Sequence, residues 1–151
     1  RESVMKHFLC VFLLVLLVSC KTSYRKIAVS SISENEKQRV YSFGQRIFET
    51  CKTGEFIQLS KKEVTDGLAK LSLEEMQKAC DVLDKRNGKF IDMELVEIID
   101  DTFVGKSLIY RYKATFEKND FLHETSLWVN LDGKFSGIIF GEWKDEYLPY
   151  K

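Results

Sequence analysis

The hydrophobic positions follow three different rules along the chain. The 11 residues from Phe8 to Val18 (FLCVFLLVLLV) are all apolar. From Ser33 to Arg86 the apolar residues recur three and four apart, and from Ile91 to Trp143 they alternate with polar ones. The first rule marks a continuous hydrophobic run, the second marks helices with one buried stripe, and the third marks strands with one covered face.

The helical region divides at its caps. Ser33 with Glu36 announces a helix whose stripe is Val40, Phe43, Ile47 and Cys51, with Gly54 at its end. Ser60 with Glu63 predicts a second helix through Val64, Leu68 and Leu71. Ser72 with Glu75 predicts a third through Met76, Ala79, Cys80 and Leu83, and Asn87-Gly88 turns the chain after it. In the strand region Ile91, Met93 and Leu95 alternate with Asp92 and Glu94. The phase then slips at Leu95-Val96, the pattern of a β-bulge. Leu108 to Phe116 forms a second strand, and Leu127, Val129 and Leu131 lie on a third. Asp132-Gly133 is a hairpin turn into a fourth, Lys134 to Trp143, thinned by Gly137 and Gly141. Helices followed by strands joined through short turns give an α+β fold, with three N-terminal helices packed on a curved four-stranded antiparallel sheet.

The leading apolar run follows Lys6 and His7, is too short to span a bilayer, and reads as a signal peptide over residues 5–19 that starts at Met5. Arg1 to Val4 are then upstream of the translated start. The run closes on Leu17-Val18-Ser19-Cys20, which resembles the lipobox of bacterial lipoproteins: an aliphatic residue, a tolerant position, a small residue, then Cys. That resemblance implies a diacylglyceryl group on Cys20 and a bacterial cell-envelope location, periplasmic or at the outer membrane. Lys21 to Ser31 is polar and without period, so residues 20–32 read as a tether and 33–151 as the domain.

Charge sharpens this. The 151 residues carry 23 basic and 23 acidic side chains; from Cys20 onward the balance is 21 against 22. A near-neutral domain is no electrostatically driven nucleic-acid binder, and no polybasic patch reinforces membrane contact, so the lipid has to hold it there. At 44% hydrophobic and 13% aromatic the chain has enough apolar material for a core.

Val40 to Phe140 resembles the nuclear transport factor 2-like (cystatin-like) cone, in the small extracytoplasmic form found in bacterial lipoproteins. The resemblance rests on the long first helix, "KTGEFIQLS" (52–60), "LSLEEMQKACDVLDKRNGKF" (71–90) and "VNLDGKFSGIIF" (129–140). It implies a cone with a mouth between helices and concave sheet. Isomerase-like members place a carboxylate and acidic hydrogen-bond donors in that mouth. No residue of this chain matches a catalytic motif, so no catalytic role carries over.

Among the remaining residues, Tyr110 and Tyr112 share a strand face and read either as lining of a pocket or as core with hydroxyls at its rim. His123 follows the first 19 residues as the sole histidine; it reads as pocket lining or, more simply, as an exposed strand-edge residue. Trp128 and Trp143 read as sheet packing or a ligand or partner surface, and Asp92 and Glu94 as lining of the mouth able to do acid–base work or, more simply, as a solvated face. No spacing suits a metal, and no cofactor is implied. Cys51 and Cys80 lie on helix stripes and are either a disulfide, which an exported address permits, or two small buried hydrophobes. The expected function is a membrane-tethered extracytoplasmic module, non-catalytic, binding a small amphipathic ligand or an envelope protein. The alternative is a small isomerase- or hydratase-like enzyme using a carboxylate and a tyrosine.

Overall fold

The computed structural model describes residues 24–149, except 103, 104 and 119. The expected signal peptide and Cys20 lie outside the described residues. Within them the fold is α+β: a strand, three helices, then four strands. Strand β1 (Arg25–Ile27) leads through a 3-10 turn (Val29–Ser31) into helix α1 (Glu34–Thr53). Helices α2 (Asp66–Ala69) and α3 (Leu73–Asn87) follow, then strands β2 (Phe90–Asp100), β3 (Ser107–Phe116), β4 (His123–Asn130) and β5 (Phe135–Glu142). All five strands form one antiparallel sheet in the order β1-β2-β3-β4-β5.

The sheet therefore has five strands where the alternation predicts four. The added strand comes from the segment read as a tether. Arg25, Lys26 and Ile27 pair with Asp100, Ile99 and Ile98. Ion pairs reinforce it, from Arg25 to Asp100 at 2.8 Å and from Lys26 to Glu97 at 2.9 Å, and Ile27 packs on the core. Three residues with one aliphatic side chain carry no legible period, so nothing in the local pattern marks this strand.

Helix α1 begins where its cap predicts. Ser33 accepts a hydrogen bond from the Glu36 amide, and Gly54, in the left-handed conformation, ends it. Its stripe sits unusually close to the sheet at Gly44: a Cβ there would lie 2.5 Å from Met93 Cε and 2.9 Å from Leu127 Cδ1. A mid-helix glycine costs roughly 1 kcal/mol against alanine, and here that close approach accounts for it. Phe43 stacks on Phe135 with centroids 3.7 Å apart, and Phe48 stacks on Phe90 at 3.9 Å. Helix α3 carries the complete Ser72–Glu75 capping box.

The second helix departs from its prediction. Ser60 and Glu63 do not cap it; the helix is a single turn starting after Thr65. Phe135 donates its amide to the Glu63 carbonyl and accepts from the Thr65 amide, and Val64 bridges to Phe135. Those backbone groups are thus committed to the outer edge of β5, and Gly67 weakens the helix that would compete.

Strand β2 shifts register between Leu95 and Glu97, as the phase slip predicts, and again between Phe90 and Asp92. The first shift leaves Val96 as the extra residue and brings Met93, Leu95 and Ile98 onto the same helix-facing side. The second leaves Ile91 unpaired and exposed, so it does not join Met93 and Leu95 in the core.

The sheet's other face is also covered. Ile99, Ile109 and Tyr147 form a second apolar cluster there, joined by Tyr24 and Trp128. Its anchor is Arg111, whose side chain is 2% exposed. Arg111 donates to both Glu124 oxygens, to Glu97 and, at 2.8 Å, to the Lys144 carbonyl, while the rings of Trp143 and Tyr147 flank it. Burial disfavours its charge, but Glu124 and Glu97 outweigh that and raise its pKa. Removing one partner of such a buried group leaves the others unpaired. Arg111→Ala is expected to lower unfolding free energy by about 3–5 kcal/mol in urea denaturation. A loss below about 1 kcal/mol would mean that the pair is not buried in solution.

Candidate functional site

An apolar cavity lies on the helical side, between α1, α3 and β5. Its volume is about 180 Å³. Ile47 of α1, Phe56 and Leu59 of the loop after α1, Leu68 of α2, Met76 and Leu83 of α3, and Ile138 of β5 supply its walls. Cys51 and Cys80 complete the wall and form a disulfide with a Cα–Cα distance of 5.1 Å, which ties α1 to α3. The sequence alone left those two cysteines open between a bridge and two buried thiols.

Helix α3 needs that tie. Its buried residues are Cys80, Leu83 and Asn87, which leaves a narrow apolar stripe for 15 residues. Glu75 is the one ionisable group on the cavity wall. Hydrogen bonds from the Ser72 amide and hydroxyl hold its carboxyl below the usual carboxylate range, and they occupy it in the helix cap. The cavity thus offers apolar contact, and its one carboxylate is engaged in the helix cap. A space lined this way favours apolar guests.

A second, more open space of about 430 Å³ adjoins it. Ala79, Leu83 and Phe140 line both. On its far side stand Lys78, Val82, Arg86 and Asn87 of α3 and Phe121 of the β3–β4 connection.

None of the three residues singled out as pocket lining touches the apolar cavity. Tyr110 and Tyr112 are core residues of the helix-facing side, 0% and 1% exposed. Burial pushes the Tyr110 hydroxyl up to about 12, with the Glu36 carboxylate adding to the shift. Burial raises Tyr112 further. His123 is not an exposed strand-edge residue: it is 1% exposed, and its ring lies 4.1 Å from that of Phe121 and 4.8 Å from that of Phe116. The reason is register. His123 pairs with Ala114, so it falls on the covered face, and the strand starts three residues before the alternation from Ser126 reveals it.

Asp92 and Glu94 are exposed, as the alternation implies; Asp92 accepts a hydrogen bond from the Tyr41 hydroxyl at 2.8 Å. Trp143 lies beside Arg111 and belongs to the covered outer face. Among the described residues no group of three His, Cys, Asp or Glu side chains is placed to hold a metal, and no helix is long and apolar enough to cross a membrane. Sequence reading missed Arg111, which alternation assigns to a solvated face; its only signal is the pair of acidic residues, Glu97 and Glu124, that register sets beside it.

No family model, no curated protein and no solved structure matches the chain.

The bridge closes a loop with a sequence separation of 29 residues. Replacing both cysteines by alanine is expected to lower stability by about 3–4 kcal/mol, read from paired urea curves of the wild type and the double variant. Coincident curves would show that the bridge restrains nothing.

Proposed function

We propose that this chain is a lipid-anchored extracytoplasmic binding module that takes the apolar part of a small amphipathic molecule between α1, α3 and β5. The apolar cavity carries this reading. Its walls come from every helix and from the last strand, and its one carboxylate is spent on a helix cap. A mostly apolar site whose one carboxylate is engaged in a helix cap is suited to binding rather than reaction. The arrangement of helices against one face of an antiparallel sheet fits the cone architecture suggested by the sequence. The Cys51–Cys80 bridge fits an oxidising, exported compartment. Anchorage through Cys20 rests on the lipobox resemblance and on a domain with no basic excess.

The enzyme alternative finds less support. Tyr41 donates to Asp92 at 2.8 Å, but neither residue lines the cavity; both Glu36 oxygens accept from Arg39, and Tyr110 is fully buried.

The neutral fluorophore N-phenyl-1-naphthylamine tests the binding site. Wild-type protein is expected to bind it saturably with a rise in fluorescence. Ala79→Phe, at an exposed position lining both spaces, is expected to weaken binding about tenfold while leaving the circular dichroism unchanged. Absence of saturable binding to the wild type would refute the site. In the producing cell, Cys20→Ala is expected to move the protein out of the membrane fraction; a variant that stays membrane-bound refutes the anchor.

A further inference from the structure

The cleft that opens off the apolar cavity has the opposite character at its far end. Lys78 and Arg86 stand on its wall, and no acidic residue does. Arg86 makes no ion pair among the described residues; its guanidinium lies 5.4 Å from the Phe121 ring centroid, held over the cleft's aromatic wall. Among the described residues Lys78 pairs with Glu74 one turn earlier, and both side chains are at least 70% exposed, a weak, solvent-screened contact that a ligand anion readily replaces. The local field therefore favours an anion.

A second, independent observation concerns Asn87. This residue lines the cleft, is 5% exposed, and its Oδ1 has no hydrogen-bond partner. A buried acceptor left unpaired costs free energy, and a ligand that donates to it recovers that cost. His123 lies behind this wall and does not line the cleft. Its ring packs on Phe121 and its Nε2 lies 3.2 Å from the Lys118 carbonyl, which fixes the aromatic wall from behind. The Lys118 amide in turn donates to the Asn87 carbonyl, which joins the two residues through one backbone unit. Cations that want an anion thus stand beside an acceptor, Asn87 Oδ1, that wants a hydroxyl or amide donor.

We propose that this cleft is the headgroup site for a single-chain lipid whose head is both anionic and hydroxylated, of the phosphoglycerol type. The phosphate lies at Arg86 and Lys78, a head hydroxyl donates to Asn87 Oδ1, and the acyl chain passes Ala79, Leu83 and Phe140 into the apolar cavity. Spaces of about 430 and 180 Å³ joined by shared walls suit a short amphiphile. The inference rests on the reading of the cavity as an amphiphile site, and extends it by naming the head.

Calorimetric titration of the full chain below micellar concentrations tests it, with 1-lauroyl-lysophosphatidylglycerol and dodecyltrimethylammonium as probes of matched chain length. The phosphoglycerol lipid is expected to bind about tenfold or more tightly than the cation. The double variant Lys78→Gln/Arg86→Gln, at two exposed positions, is expected to lose about tenfold for the phosphoglycerol lipid and less than twofold for the cation. Asn87→Leu is expected to weaken the phosphoglycerol lipid alone. Equal binding of both probes, unaffected by these substitutions, overturns the headgroup site while the apolar cavity stands. Binding of neither probe overturns both.

Discussion

The helical layer depends on one covalent tie. Helix α1 is bound to the sheet by Val40, Phe43 and Phe48 and by the close approach at Gly44. Helix α3 has no comparable apolar face, and Leu83 is its one buried aliphatic side chain. The Cys51–Cys80 bridge supplies what burial does not, and fixes α3 beside α1 while side chains fill the space between them only in part. Close packing is the rule in protein interiors, so an apolar void of this size is a cost unless something occupies it. A bridge that prevents the helix from collapsing onto the sheet turns that cost into a site.

The sheet itself is covered on both faces by unlike means. On one face, aromatic and aliphatic residues of β2 to β5 meet the helices. On the other, the segment after β5 folds back and is fastened to Arg111 through the Lys144 carbonyl and the flanking rings of Trp143 and Tyr147. The Tyr24 hydroxyl donates to the Tyr147 carbonyl, so the residues before β1 are tied to that same segment. A buried arginine held by two carboxylates adds little net stability compared with an apolar cluster, but its fixed geometry dictates where the returning chain must lie.

Much of this was legible from periodicity. The limits of α1 and α3 follow from Ser33, Gly54, Ser72 and Gly88, because caps act locally. The bulge at Val96 is visible because a one-residue slip reverses the alternation. Features set by long-range pairing were not legible. Strand β1 exists because β2 offers an edge, and the helix predicted from Ser60 yields to the backbone bonds between Phe135 and residues 63 and 65. The burial of His123 and Arg111 follows from register with neighbouring strands, which their own local sequence does not encode. For the site, the cysteines and the stripe residues Ile47, Leu68 and Leu83 stood out in advance. The cationic end did not: Arg86 and Asn87 read as an ordinary helix terminus until Phe121 and Phe140 are placed opposite them.

The proposed binding depends on an apolar, ligand-accessible space beneath the bridge. Methyl-resolved NMR under xenon pressure tests it directly, because xenon enters empty apolar cavities and needs no headgroup. Methyl signals of Ile47, Leu71 and Ile138, which line the cavity, should shift saturably, while those of Ile99 and Ile109, packed under Tyr147 on the opposite face, should not. Cavity methyls that stay fixed while xenon is raised would show the helices collapsed onto the sheet, and the account of the site would fail with them.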